Sequence, residues 1–442
     1  MMALRWTDTA KPGTPYWWDA LENPAPDDPL PESCDLLVIG AGYTGLSAAI
    51  AAHDCGARVA VVDADIPGRG ASTRNGGMFG AHPRLGWDEL RRRFDAATAD
   101  NIFAEAPDAL AWARALIADE AINCDLQQTG RIQLAWSASH FENQKRLART
   151  IRDKSTVNVQ IVDRADLSTE ITTEQYFGGI VFPEHCGLHP AKYHAGLIAA
   201  ARRRGIPITG HARVQQVDRT DAGHIASTPK GKIKARKVVL ATNGYTTKPF
   251  RWQIRRVFAL PSYLIATEPL PADLIAHLVP GGRMMVETRA RHSYFRISPD
   301  GTRLLYGGRA AMVDVDLQTA AERLHATMCE VWPELEQTRL SHVWTGNTGY
   351  SFTHMPHVGC HDGVHYAMGF SGSGTVMAPY LGAKAAWQAL GDPRGETAYS
   401  NTAFAPSWLH PSSNPHFLQA ANLWYRSYVD WSENRQGRKR AQ

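Results

Sequence analysis

CDLLVIGAGYTGLSAAIAAHDCGARVAVVDAD, residues 34–65, runs from an apolar stretch through clustered glycines into an alanine-rich stretch and a second apolar run. Strand, glycine turn, helix, strand: that order is a compact βαβ unit and implies a parallel sheet. Gly40, Gly42 and Gly45 stand as G-x-G-x-x-G directly after DLLVIG. The first permits a tight turn, and the second lets backbone approach a pyrophosphate. The third lets the helix lie close to the strand, with its N–H groups and positive dipole end turned to the phosphates. Tyr43 and Thr44 open that helix and belong to the same turn. Asp63 ends the second strand, 23 residues after Gly40, where a carboxylate accepts hydrogen bonds from an adenosine ribose. The unit is expected to bind a dinucleotide.

GRGASTRNGGM (Gly68 to Met78) follows at once. A nicotinamide-dinucleotide dehydrogenase usually continues into further βα units and has no glycine-rich loop here. Ser72, Thr73 and the loop N–H groups suit a pyrophosphate, and Arg74 and Asn75 add donors. Gly76 and Gly77, with Met78 beside them, let a flat ring lie against bare backbone, as an isoalloxazine requires. GFSGSGT (Gly369 to Thr375) is a second strand-to-helix turn near the far end of the chain. A helix N-terminus there stabilises negative charge on the pyrimidine edge of reduced flavin. No second strand-linked G-x-G-x-x-G occurs mid-chain, so no separate NADPH domain is expected and electrons enter from an organic substrate.

At 442 residues the chain exceeds one simple core, so one large or two interleaved domains are expected. Its 44% hydrophobic and 20% charged content is that of an ordinary soluble globular chain. The formal charge of +4 is small and scattered, and no broad basic face for nucleic acid is visible. Only GRKRAQ, at the C-terminus, is a compact basic run, and it reads as a solvated tail. Cys34, Cys55, Cys124, Cys186, Cys329 and Cys360 form no C-x-x-C pair, so no metal site or dithiol is expected, and buried thiols suit a reducing compartment. No run resembles a signal peptide or reaches the ~18 apolar residues of a membrane span, and the chain reads as cytoplasmic.

The expected fold class is α/β with an α+β second domain. A Rossmann-like FAD-binding domain (34–90, 187–250 and 340–392) interleaves with a substrate domain on a largely antiparallel sheet (91–186 and 251–339). Residues 1–33, rich in Pro, Asp and Trp, read as an extended arm, and 393–442 as a C-terminal helical extension. In that extension Phe417, Ala420, Leu423, Trp424, Tyr428 and Trp431 fall near one helical face, expected to pack on the core or on another subunit in preference to a membrane surface.

The first stretch, together with GRGASTRNGG, VVLATNGY and GFSGSG, resembles the FAD-dependent D-amino-acid oxidase and sarcosine oxidase superfamily from about Cys34 to Leu390. The pairing of GYTGLS with GASxRNGG is most similar to γ-glutamylputrescine oxidase-type members. The resemblance implies FAD with Gly40, Gly42, Gly45 and Asp63 at its ADP portion, and Ser72, Thr73 and Arg74 at the pyrophosphate and ribityl chain. It puts Asn75, Gly76, Gly77 and Met78 at the ring and the Val214 backbone at adenine. Thr242 and Asn243 lie in a strand-end loop beside the cofactor, with Gly346, Gly372, Ser373, Gly374 and Thr375 over the pyrimidine end. Three positions depart from the pattern. Thr73 replaces a glycine and is strained if that position has positive φ. Thr348 replaces the cysteine that links flavin in sarcosine oxidases, so the FAD is expected to be non-covalent. Leu305 falls where those oxidases carry an oxygen-activating lysine.

The family chemistry implied is oxidation of a C–N bond in a neutral amine, the imine hydrolysing to an aldehyde and the flavin being reoxidised by oxygen, with hydrogen peroxide released, or by another acceptor. The substrate expected is a small or γ-glutamylated amine or an N-methyl amino acid. In RHSYFRIS, His292, Tyr294 and Arg296 share one strand face and Phe295 the other. Arg296 is either a bidentate substrate-carboxylate contact or a solvated sheet arginine; Tyr294 is either a substrate contact or a packed aromatic. His82 stands just past the ring-facing glycines. These three are the candidate catalytic residues, with Tyr350 and His354 nearby in the flavin-proximal segment, and no general base stands out. Two other readings remain: an FAD-dependent dehydrogenase of a hydroxyl compound that passes electrons to a quinone, and a flavin-binding protein without turnover. The oligomeric state is not legible.

Overall fold

The computed structural model describes residues 4–21, 27–82, 85–408, 410 and 415–438; of the basic C-terminal run, 439–442 lie outside them. The strands Ser33–Ile39 and Val59–Val62 are parallel neighbours joined by the helix Tyr43–His53. Every residue of Val59–Val62 is buried. With both sheet faces covered, these strands read as unbroken apolar runs instead of alternating ones. Ile208–Thr209 extends the sheet on one side and Gly231–Leu240 on the other, and the latter also pairs in parallel with Val364–Met368. The helix Gly374–Leu390 packs on Tyr43–His53 so closely that a Cβ on Gly382 would lie 2.2 Å from the Thr44 carbonyl oxygen.

A second sheet has nine strands, in the order Trp6–Pro12, Leu340–Ser351, Val257–Thr267, Leu304–Gly308, Ser293–Ile297, Met284–Glu287, Arg131–Leu134, Gly178–Phe182 and Gln160–Asp163. It is antiparallel except where Trp6–Pro12 meets Leu340–Ser351 and where Met284–Glu287 meets Arg131–Leu134. One face carries a core of Ile132, Leu134, Phe295, Tyr306 and Trp332 packed with the helix Leu317–Val331. The other face looks toward the glycine loop and the first sheet.

Three segments differ from expectation. Leu340–Ser351 was expected with the cofactor domain, yet it pairs along its length with Val257–Thr267 in the second sheet. Its stretch Gly346 to Tyr350 lines the cavity between the two sheets, which explains the expectation without membership of the first sheet. The N-terminal segment is not an extended arm: it supplies an edge strand and a 3₁₀ turn, Tyr16–Ala20, whose Trp17 is fully buried. The C-terminal helix, Phe417–Trp424 continued through a π-helical stretch into Asp430–Arg438, packs inward only in part. Leu418 is buried and Phe417 meets Phe258 and Phe352, but Leu423, Trp424, Tyr428 and Trp431 face outward, because the inward side is held by polar contacts.

Candidate active site

Between the two sheets lies one cavity of about 1010 Å³. One end of it is built by the first glycine turn. Gly40 has φ +107°, and a Cβ on Gly45 would sit 1.8 Å from the Gly40 oxygen, so the helix can rest on the strand only with glycine there. The Asp63 carboxylate accepts the Ala41 N–H at 2.7 Å and the Asp65 N–H at 3.1 Å, and burial raises its pKa against those bonds. Ser72 Oγ accepts the Tyr43 N–H at 3.0 Å, tying the second loop to the N-terminus of the first helix. Val214, Thr242 and Asn243 line the same end.

The loop from Gly68 to Met78 forms the cavity's middle wall. Asn75 braces it: its amide nitrogen donates to the Ala71 and Ser72 carbonyls, and its amide oxygen accepts the Gly77 N–H. The Arg74 guanidinium donates to the Arg69 and Thr345 carbonyls. Thr73 lies in a 3₁₀ turn without positive φ, so the feared strain is absent. Its hydroxyl donates to Gly68 O at 2.5 Å and accepts the Trp18 indole N–H at 2.9 Å. Trp17 donates to Asn75 O at 2.8 Å, and Trp344 to Arg74 O at 2.8 Å. Two sides of the loop are thus held by indoles that no local motif announces. Replacing Trp17 with phenylalanine leaves the Asn75 carbonyl without its donor, at a cost of about 1–3 kcal/mol. Fluorescence titration of the apoprotein is expected to read this as an FAD affinity reduced about tenfold or more.

Of the positions expected around the cofactor, Gly40, Gly42, Tyr43, Thr44, Asp63, Ser72, Arg74, Asn75, Gly76, Met78, Val214, Thr242, Asn243, Gly346, Gly372, Ser373, Gly374 and Thr375 all line this one cavity. Gly45, Thr73 and Gly77 do not. They act behind its wall: Gly45 through helix packing, Thr73 through Trp18, and Gly77, at φ +69°, through close approach to Leu188 O. The cradle fits FAD: a cavity lined by two glycine turns, each opening a helix, with Gly76 on the wall between them.

The other end is floored by the second sheet. Pairing places Leu264, Gly307, Tyr294, Val286 and Gln133 in one row across it. Tyr294 lines the cavity, shares a hydrogen bond with Ser262 at 2.9 Å, and lies against Gly76 and Gly307, where any Cβ would collide with its ring. Burial pushes its phenol up to about 12. His82 also lines the cavity. Arg296 does not: its guanidinium donates to Gly77 O at 2.8 Å and Leu188 O at 3.0 Å, so it props the loop and cannot reach a substrate. The face predicted by strand alternation is right, but at Arg296 the glycine loop already covers it.

Sequence reasoning missed Arg131. It lines the cavity, donates to the His82 ring at 3.0 Å, lies over the Phe182 ring, and has no carboxylate partner among the described residues. Its Nε has no hydrogen-bond partner, and burial pushes the guanidinium down to about 10. Arg309, bonded to the Tyr350 hydroxyl, likewise faces the cavity without an acid. Arg289 is different, being forked onto the buried Glu287. Thr348 lines the cavity and no cysteine does among the described residues, while Leu305 is buried beside Trp17 and Trp344.

Over residues 35–387 the chain matches the family described as FAD dependent oxidoreductase. It is 28% identical to the probable oxidoreductase OrdL of Rhizobium meliloti, covering 88% of this chain and 91% of that protein. To the γ-glutamylputrescine oxidoreductase of Escherichia coli it is 27% identical, over 88% and 92%. Glycine oxidase from Geobacillus kaustophilus has the same fold, with a TM-score of 0.69 at 20% identity over 86% of this chain and 99% of that one. The match runs from the first strand of the cofactor sheet into the helix that follows its last glycine turn, and the chain belongs to the FAD-dependent oxidoreductase family.

Proposed function

We propose that this protein oxidises the C–N bond of an amine that also carries a carboxylate, within the class of small or γ-glutamylated amines and N-methyl amino acids. The imine product hydrolyses to an aldehyde, and oxygen is the final acceptor, giving hydrogen peroxide. The observation that carries the reading is the charge of the cavity. Six arginines line it against Asp63, Asp65 and Glu287, and among the described residues no carboxylate pairs with Arg131 or Arg309. A dication such as a simple diamine is repelled there, whereas a carboxylate supplies the missing partner.

FAD, which the residues of the two glycine turns would hold, would supply the two-electron acceptor. The residues opposite it do the rest. Arg131, roughly 12 Å across the sheet from Tyr294 by strand spacing, anchors the substrate's anionic end. Arg131 and Arg309 lower the pKa of a nearby ammonium, so the amine is bound neutral without a dedicated base. Tyr294 remains a protonated phenol at working pH and orients the substrate by hydrogen bonding. His82, hydrogen-bonded to Arg131 at 3.0 Å, fixes that guanidinium's direction. Non-covalent attachment of FAD is supported by Thr348 on the cavity wall. The Escherichia coli relative's name, γ-glutamylputrescine oxidoreductase, supports amine oxidation.

The test is the visible spectrum under anaerobic conditions while single substrates are added. Carboxylate-bearing amines are expected to bleach the flavin band near ~450 nm, with colour returning in air, and putrescine is not. Bleaching by hydroxy acids alone would replace amine oxidation with the hydroxyl-compound reading.

A further inference from the structure

We propose that the C-terminal helix docks this protein onto an anionic lipid surface. The helix runs without a break from Phe417 to Arg438 and has two unlike sides. Its inner side is fastened to the protein. Leu418 is buried, Asn422 accepts the Met312 N–H, Asp430 pairs with Arg291, and Glu433 accepts the Ala290 N–H at 2.8 Å. Both acids of the helix are therefore turned inward and neutralised or hydrogen-bonded.

The outer side is aromatic and basic. Leu423, Trp424, Tyr428 and Trp431 are 70%, 58%, 52% and 56% exposed. The Trp424 and Tyr428 rings lie 4.7 Å apart, and the Arg435 guanidinium lies 5.6 Å from the Trp431 ring. Trp424, Tyr428, Trp431 and Arg435 recur at helical spacing, forming one stripe. The exposed charges beside it, Arg426 and Arg435, are both positive. The sequence past Arg435 adds Arg438, Lys439 and Arg440 and no acid.

Tryptophan and tyrosine settle at the depth of lipid headgroups, where the ring is apolar and the N–H or O–H stays wet. Basic side chains alongside them attract anionic headgroups, and an interfacial helix needs both parts to bind stably. No helix here is long and apolar enough to cross a membrane among the described residues, so the contact is with the surface. A second copy of the chain fits less well, because it lays one acid-free basic stripe on another and offers the arginines no carboxylate.

The experiment is co-sedimentation of the FAD-loaded protein with phosphatidylcholine vesicles, with and without phosphatidylglycerol. Most of the protein is expected to pellet with the phosphatidylglycerol vesicles and to stay in solution with phosphatidylcholine alone, with release on raising salt. The double variant Trp424→Ser/Trp431→Ser and, separately, Arg435→Glu are expected to lower binding about tenfold, with the flavin spectrum unchanged as the sign of an intact fold. Failure to pellet with phosphatidylglycerol overturns the proposal. Binding that neither variant weakens overturns it too. A doubled mass in sedimentation equilibrium that the double variant abolishes, without vesicle binding, replaces lipid by a second copy.

Discussion

Gly45→Ala is expected to purify without FAD. The added Cβ would lie 1.8 Å from the Gly40 oxygen and 3.1 Å from a Val38 methyl. No rotamer choice relieves this, since the clash is with Cβ itself. The helix Tyr43–His53 must lift from the strand, yet on its other side Gly382 is already in contact with the Thr44 backbone. Caught between two close approaches, the helix shifts its N-terminus off the phosphate position and breaks the Tyr43–Ser72 bond. Overpacking of this kind costs about 1–3 kcal/mol of stability, and lost cofactor alignment adds to it. FAD affinity is expected to fall at least ~100-fold, about 2.7 kcal/mol. The ratio of flavin to protein absorbance reports the loss, with far-UV circular dichroism reporting the fold. Gly42→Ala is the comparison: its Cβ would press on the Ser72 hydroxyl at 2.9 Å without lifting the helix, so it is expected to weaken FAD binding less than Gly45→Ala does. A yellow Gly45→Ala protein with unchanged affinity would remove the packing argument.

Arg131→Met is expected to separate activity from stability. If Arg131 binds the substrate carboxylate, its loss costs about 2–5 kcal/mol in kcat/KM for carboxylate-bearing amines, roughly 30-fold to several thousand-fold. The decarboxylated analogues are expected to lose little. Stability moves the other way, or not at all. The guanidinium is buried without an acid partner, and a methionine of similar volume removes that desolvated charge. Arg289→Met is the internal contrast. It leaves the fully buried Glu287 facing only Tyr176 and the Ser293 N–H, and a charge stranded in this way costs about 3–5 kcal/mol. Thermal unfolding with and without FAD, beside steady-state kinetics, checks both variants. A destabilised Arg131→Met with unchanged kinetics would make Arg131 a structural residue.

These two residues also mark how far local sequence could be read. Gly45 is legible because its reason is local: a turn and a helix start five residues apart, with chemistry carried by backbone. Asp63 and the ring-facing loop belong to the same kind of signal. Arg131 is not legible. It lies in GRIQLAWS, where alternation puts Arg131 and Gln133 on one face, a hint that this face is not pure core. Which cavity that face meets depends on Arg131–Leu134 pairing in parallel with Met284–Glu287, a neighbour about 150 residues away. Arg296 shows the converse. Its facing was read correctly from strand period, but what occupied the space opposite was backbone from Gly77 and Leu188. The indoles of Trp17 and Trp18 could not be assigned for the same reason, since their partners sit more than fifty residues on.

The edge strand Trp6–Pro12 carries a consequence for how the protein is made. It leaves the ribosome more than three hundred residues before Leu340–Ser351, its only strand partner among the described residues. The strand gains its pairing only once that partner is synthesised, although Trp17 also packs on His189 and Ala191 and Trp18 lies under Arg69 and Arg74, all made much earlier. Contacts of such sequence separation form late. The nascent chain therefore carries the first glycine turn early, but the sheet edge that holds the start of the Trp17–Trp18 segment is complete only when nearly four-fifths of the chain exists.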